Sequence, residues 1–335
     1  MNMITTTGGT HMEAEIAEAP GVFARAALQR PDMQVPGALR AIYTIARGSS
    51  DAAANILSYE LMRETGLPVT SLPPSVFSVG QGVDMAGSLA LVISQSGASD
   101  DLVIAATGAR ARGAMVAGII NQPGSRVGAV ADVTMPISAG PELAVPATKS
   151  VVGSIAAGMA LTGALVPSYA ARAAADAAAF AALGAVRHSQ EAAIVAALLR
   201  ARHVYVIGRD TGFGAAQEAA LKLKECCALH AEAYSSSEVL HGPLQLATNP
   251  LLVLILDTGT PEIQDSLDTA ERRFRDTGGA VIRIRATDAG APAMTPAGSA
   301  ALLLCMIYPV VLATARALGH DPDRPATLSK VTRTT

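Results

Sequence analysis

The sequence predicts an α/β protein built from two similar doubly wound parallel-sheet domains, and three observations predict it. Half of the 335 residues are hydrophobic but only 3% are aromatic, a balance suited to Ala-rich helices packed closely against a flat sheet. Short apolar runs alternate with helical patterns, the rhythm of parallel strands covered by helices on both faces. The rhythm also occurs twice at a fixed offset: Arg209 stands 162 positions after Arg47, and Gly259 stands 162 after Gly97.

An N-terminal arm, residues 1–34, holds a short helix from Met12 to Glu18 closed by Pro20. The first domain, residues 35–180, opens with the strand Ala41 to Ala46, the turn Arg47-Gly48-Ser49-Ser50 and a helix to about Thr65. A second strand, Leu89 to Ile93, runs into Ser94-Gln95-Ser96-Gly97 and a helix from about Ser99, and a third covers Met115 to Ile120. Ala-rich helices near Leu165 to Ala185 separate the halves. The second domain, residues 185–320, repeats the order with a strand from His203 to Gly208, a helix to about Leu229, a strand from Leu251 to Leu256, a helix from about Pro261 and a strand from Ala280 to Ile284. Ala300 to Ala315 is apolar but short of the roughly 20 residues a membrane helix needs, and is expected to be a buried helix. Pro322 and Pro325 mark residues 321–335 as a tail without periodicity.

A net charge of −3 and the absence of a Lys/Arg run exclude a broad polyanion-binding face, so no nucleic-acid partner is expected. Cys226, Cys227 and Cys305 show no CxxC or Cys/His ligand spacing and are expected to be reduced core thiols. No metal site is expected. The first dozen residues lack the basic-then-apolar order of a signal peptide, and a cytoplasmic location without membrane attachment is the expectation.

Ligands of open parallel sheets bind beyond the carboxyl ends of the strands. Ser94, Gln95, Ser96 and Ser99 fall there, between a strand and a helix, where hydroxyls, backbone N–H groups and a helix N-terminus converge on one anion. Gly97 permits the tight turn. Asp100 and Asp101 oppose an anion unless they point away. Ser49 and Ser50 occupy the corresponding place after the first strand, although Ser50 is also what a helix start needs. In the second half Asp257 replaces the hydroxyl and repels phosphate, so one working cradle is expected. Gly208 to Gly214 does not give GxGxxG in register, so no dinucleotide cofactor is expected.

Glu218, Lys222 and Glu225 are spaced i, i+4, i+7 on one helical face, which by spacing alone reads as a solvent-exposed ion-pair stripe. His230 to Pro243 comes next, a loop-like stretch dense in titratable groups. Here the chain resembles the isomerase half of glucosamine-6-phosphate synthase: Leu221 to Glu225 reads LKLKE, His230 to Tyr234 reads HAEAY, Glu238 comes after, and His241 to Pro243 reads HGP. Ser94 to Gly97 matches the SQSG phosphate loop of that family, Ala139 to Glu142 its AGPE segment, Ala147 to Lys149 its (S)TK segment, and Asp321 to Lys330 its D-x-D-x-P-x-x-L-x-K tail. Leu240 and Ala147 stand where the family usually has Lys and often has Ser.

The resemblance implies a pair of sugar isomerase (SIS) domains acting on a phosphorylated sugar. It implies Glu225 as the base that moves a proton between C2 and C1, His241 as the ring-opening group, Lys330 as the tail lysine that reaches the open-chain carbonyl, and Lys222 as a neighbouring charge that tunes the base or stabilises the enolamine. Ser49, Ser50, Ser94, Gln95, Ser96 and Ser99 become the phosphate shell. It also implies a homodimer, because the histidine comes from the partner subunit. No glutaminase segment is read at the N-terminus, so the same shuttle is expected to run toward deamination of an amino sugar phosphate such as glucosamine 6-phosphate. The alternatives are another sugar epimer, deglycation of a fructosamine 6-phosphate, plain aldose–ketose isomerisation, and a catalytically silent sugar-phosphate sensor.

Overall fold

The computed structural model describes residues 8–33 and 37–330. The arm boundary expected at Gln34 and the last five residues of the expected tail lie outside them. In chain order the elements are α1 (Thr10–Ala27), β1 (Ala41–Ile45), α2 (Ser49–Thr65), β2 (Val69–Ser71), α3 (Ser75–Ser78), β3 (Ser88–Ser94), α4 (Asp100–Ala111), β4 (Met115–Ile120), α5 (Arg126–Val130), β5 (Val133–Pro136), α6 (Lys149–Leu165) and α7 (Pro167–Leu183). The chain continues through α8 (Glu191–Leu198), β6 (His203–Gly208), α9 (Thr211–Cys227), β7 (His230–Ser235), two short 3-10 helices (Glu238–His241 and Pro243–Thr248), β8 (Leu252–Asp257), α10 (Gln264–Asp276), β9 (Ala280–Arg285) and α11 (Pro296–Ala317).

Packing gathers the chain into two compact units. One holds residues 21–33, 37–140 and Ser150–Ala182; the other holds residues 8–20, Pro141–Lys149 and Leu183–Lys330. The first unit carries a five-stranded sheet in the order β2-β1-β3-β4-β5, and the second a four-stranded sheet in the order β7-β6-β8-β9. All neighbouring strands in both sheets are parallel. Matching β6 to β1, β8 to β3 and β9 to β4 makes β7 the counterpart of β2, so the internal repeat extends to strand order. Helices α2 and α9 have 17 residues each and start 162 positions apart.

Every residue of β3, β4 and β8 is buried. That explains why these strands are uninterrupted apolar runs: a strand covered on both faces has no solvent side on which to alternate. β2 and β7 are edge strands and read differently. β2 is three mostly exposed residues, and β7 alternates polar with small residues. The stretch from His230 to Ser235, expected to be loop-like, is therefore an edge strand whose partner on one side is β6.

Two terminal elements also differ from expectation. The arm helix is not closed by Pro20; α1 continues to Ala27 with Pro20 inside it. The hydrogen bond lost at Pro20 is offset by burial of the next turns: Val22, Phe23 and Ala26 are fully buried, and Phe23 stacks on Phe180 with ring centroids 3.8 Å apart. Pro20 is also the residue at which α1 passes from one unit to the other. The segment after α11 has no periodicity, as expected, yet it is anchored. Asp321 accepts a hydrogen bond from Gly9 N, and Asp323 accepts from His11 N and Met12 N at 3.0 and 2.8 Å. Two carboxylates from the far end of the chain thus satisfy the orphan amides at the start of α1.

Among the described residues, α11 alone is long and apolar enough to span a bilayer, and 94% of its apolar window is buried inside the protein. It is the core helix of its unit. Cys226, Cys227 and Cys305 are free and buried, as expected, and burial pushes the Cys226 and Cys305 thiols up to about 12, which leaves them inert.

Candidate active site

In the first sheet the chain leaves β1 for β2 on one side and returns to β3 on the other, so β1 and β3 flank the point where the winding reverses. Such switch points hold ligands beyond the carboxyl ends of their strands. The turn Arg47–Ser50 comes after β1 and the turn Ser94–Ser99 after β3, and the two strands are paired with Ile45 opposite Val92. The six expected phosphate-shell residues therefore share one sheet edge. Ser94 Oγ accepts from Gly97 N at 3.0 Å and Ser96 Oγ from Ala98 N at 3.3 Å, which curls the loop into a cup. Ser99 is the N-cap of α4 but makes no capping bond through its side chain.

The two aspartates at the start of α4 are neutralised locally. Asp101 is 2.5 Å from Arg47 Nε, and Asp100 pairs with Arg126. They stabilise the start of α4 without presenting bare charge to an anion. Sequence reading missed Arg47 and Arg126 in this role, because their partners lie 54 and 26 positions away and no local pattern joins them.

Gly97 has φ +60°, and an added Cβ would lie 2.6 Å from Ser125 Cβ and 2.8 Å from Ile120 Cγ2. Gly97→Ala combines backbone strain with a steric clash that must open the loop. It is expected to raise the apparent Kd for a phosphosugar by roughly tenfold or more, the loss of about one charge-assisted hydrogen bond, as read by calorimetric titration.

The second unit carries the residues expected to act as acid and base. The face of α9 with Glu218, Lys222 and Glu225 is not a solvated stripe. Glu218 and Lys222 are fully buried, and only the Glu225 side chain reaches solvent, at 24% exposure. Lys222 Nζ lies 2.5 Å from Glu225 Oε2 and 3.4 Å from Glu218 Oε1. Tyr308 on α11 donates to the same Glu218 oxygen at 3.2 Å. Burial disfavours the Lys222 ammonium, but the two carboxylates outweigh it and hold its pKa above the ordinary lysine value. The result is a permanent buried cation under a half-open carboxylate.

Glu225 opens onto a cleft of about 460 Å³, lined by Lys224, Glu225 and Cys226 at the end of α9 and by Arg324 to Leu328 of the C-terminal segment. Two residues beyond that wall, Lys330 Nζ donates to Ala144 O at 2.6 Å and pairs with Glu142 Oε2 at 3.3 Å. Glu142 Oε1 in turn accepts from Thr148 N at 3.0 Å. The neighbouring AGPE and ATK motifs and the distant tail thus meet at one buried carboxylate. Sequence reading quoted Glu142 within its motif but gave it no role; here it fixes where the tail lysine ends. His241 is exposed at the end of the 3-10 helix Glu238–His241. His230 is the first residue of β7 and lies 3.2 Å, Nδ1 to Nδ1, from His203 on β6, a structural contact at the sheet edge.

The fold has counterparts among known proteins. A glutamine–fructose-6-phosphate aminotransferase [isomerizing] of Aeropyrum pernix is 33% identical over 346 residues, covering 92% of this chain and 54% of that protein. The chain spans about half the length of the curated relatives it matches. The C-terminal domain of glucosamine-fructose-6-phosphate aminotransferase from Francisella tularensis superposes with a TM-score of 0.81 at 21% identity, over 95% of this chain and 99% of that one. A glucosamine-6-phosphate deaminase from Thermotoga maritima superposes with a TM-score of 0.73 at 18% identity, over 97% and 100%. The SIS domain model matches residues 39–164 and 197–292, one match on each sheet, and the chain belongs to the SIS domain family.

Proposed function

We propose that this chain is a phosphosugar enzyme that deaminates an amino sugar phosphate, with glucosamine 6-phosphate as the substrate class and fructose 6-phosphate and ammonia as products. The observation that carries the reading is the Lys222–Glu225 pair: a fully buried ammonium 2.5 Å from a carboxylate that faces a cleft large enough for a sugar. A carboxylate so held can take a proton from one carbon and return it to its neighbour.

In the proposed reaction His241 protonates the ring oxygen and the sugar opens to its aldehyde. Glu225 removes the C2 proton as O1 takes one from Lys330, giving the enolamine; Glu225 then delivers its proton to C1 while the nitrogen returns one to Lys330, so that C1 becomes a hydroxymethyl group and C2 an imine. Water adds at C2, ammonia leaves, and the ketose phosphate remains. Lys222 stabilises Glu225 as the carboxylate between proton transfers, and Lys330 faces the open-chain oxygen. The serine turn of the first sheet holds the phosphate. His241, exposed in its own chain, acts on the sugar bound by a second copy, which makes the working form a homodimer.

The test is incubation with glucosamine 6-phosphate and measurement of ammonia and fructose 6-phosphate together. Stoichiometric release of both is expected. Interconversion of aldose and ketose phosphates without ammonia would replace deamination by isomerisation, and turnover of neither class would refute the enzymatic reading.

A further inference from the structure

The second sheet has its own switch point. β6 and β8 flank it, as β1 and β3 do in the first. Beyond the carboxyl end of β8 lies a cleft of about 360 Å³, bounded by Thr258 to Pro261, by Ala286 and Thr287 after β9, and by the start of α11. None of the groups placed in the proton shuttle lines it. The start of α11 is held in position by Thr211 at the N-terminus of α9, whose hydroxyl donates to Pro296 O at 3.0 Å.

Ser299, in the first turn of α11, lines this cleft and is 5% exposed. Its hydroxyl has no hydrogen-bond partner among the described residues. The residue is buried but its oxygen is not an enclosed orphan, so it opens on the cleft, where water or a ligand completes it. Thr258 and Thr260 also line it, with their hydroxyls 3.0 Å apart. At the start of α11, a helix of 22 residues, Pro296 has no N–H and Gly298 N is capped by the Thr295 hydroxyl, so the helix contributes its dipole rather than a set of free amides. The chemistry is that of the serine turn in the first sheet: hydroxyls and a helix N-terminus, with no cation.

The sequence sets Asp257 against an anion here, but the fold offsets part of its charge through Arg283, which also serves Asp268 and Glu271. Asp257 Oδ2 pairs with Arg283 at 2.9 Å, and Oδ1 accepts from Gly259 N and Gln264 Nε2 at 2.8 and 2.9 Å. Arg285, half exposed, adds a second positive charge 3.7 Å from the same carboxylate. The opposite wall, from Pro292, Met294 and Leu302, is apolar and suits the carbon framework of a sugar.

We propose that this cleft is a second, non-catalytic site for a phosphorylated sugar, its phosphoryl group on Ser299, Thr258 and the start of α11. The choice of a sugar rests on the proposed function; the site itself does not. The test is equilibrium titration of the full chain with an open-chain hexitol 6-phosphate, which the proton shuttle cannot turn over. Two molecules bound per chain are expected. Ser299→Leu, which fills the cleft, should leave one, and Glu225→Gln should leave both, so that a failure of the catalytic reading does not alter the count. Should Ser299→Leu not fold by circular dichroism, Ser299→Ala is read instead, with an expected weakening of about tenfold at the second site. Equal numbers bound by the wild type and by folded Ser299→Leu, whether one or two, overturn the proposal. Inorganic phosphate is expected to bind this site at least tenfold more weakly than the hexitol phosphate; equal binding overturns the sugar assignment.

Discussion

Glu225→Gln is expected to lower turnover of a phosphosugar by a factor of about 10²–10⁴, the usual contribution of a positioned general base, with KM nearly unchanged. The substitution keeps the shape of the side chain and an oxygen for Lys222 to meet, so the buried cation still has an acceptor beside it. Lys222 keeps Glu218 as a counter-charge at 3.4 Å, so the change in stability should be smaller than that of removing the lysine. Loss of kcat with intact folding and intact binding separates a base from a scaffold residue. A variant that retains wild-type turnover would remove Glu225 from the mechanism, and a variant that loses binding and folding together would make it structural.

Lys222→Met has the opposite signature and the largest expected effect on stability. Lys222 is fully buried between two carboxylates, one of which, Glu218, is itself fully buried. Methionine fills the volume but removes the cation 3.4 Å from the buried Glu218 carboxylate, which keeps its contact with the Tyr308 hydroxyl. Stranding one member of a buried pair costs about 3–5 kcal/mol, which lowers the melting temperature by roughly 10 °C. Adding Glu218→Gln to Lys222→Met should restore much of that loss, because it removes the stranded charge. If Lys222→Met melts with the wild type, the buried triad does not hold α9 to α11 as described.

The sequence was most legible where strands are buried on both faces. The apolar runs of β3, β4, β6 and β8, together with the repeated offset, mark the strands that form the two sheet centres, and the ligand-facing turns lie at their ends. Edge strands were less legible, since β2 and β7 expose one side and lose the apolar run that marks a strand. The candidate site was legible through residue types and motif resemblance. Its energetics were not: the spacing of Glu218, Lys222 and Glu225 is the same whether the face is solvated or buried, and only the packing of α11 across α9 removes the water. The links from Glu142 to Lys330, from Arg47 to Asp101 and from Asp323 to the start of α1 join residues 188, 54 and 311 positions apart, and no local window contains both partners.

Transfer of a proton between C1 and C2 leaves a direct trace, because the proton held by a cleft-facing carboxylate exchanges with solvent between removal and return. The decisive measurement is incubation of the protein in D2O with fructose 6-phosphate and with glucosamine 6-phosphate, then proton NMR of the sugar carbons. Deuterium should enter C1 of the ketose phosphate with the wild type and not with Glu225→Gln. No incorporation into either sugar by folded wild-type protein, or equal incorporation by the variant, would contradict the account.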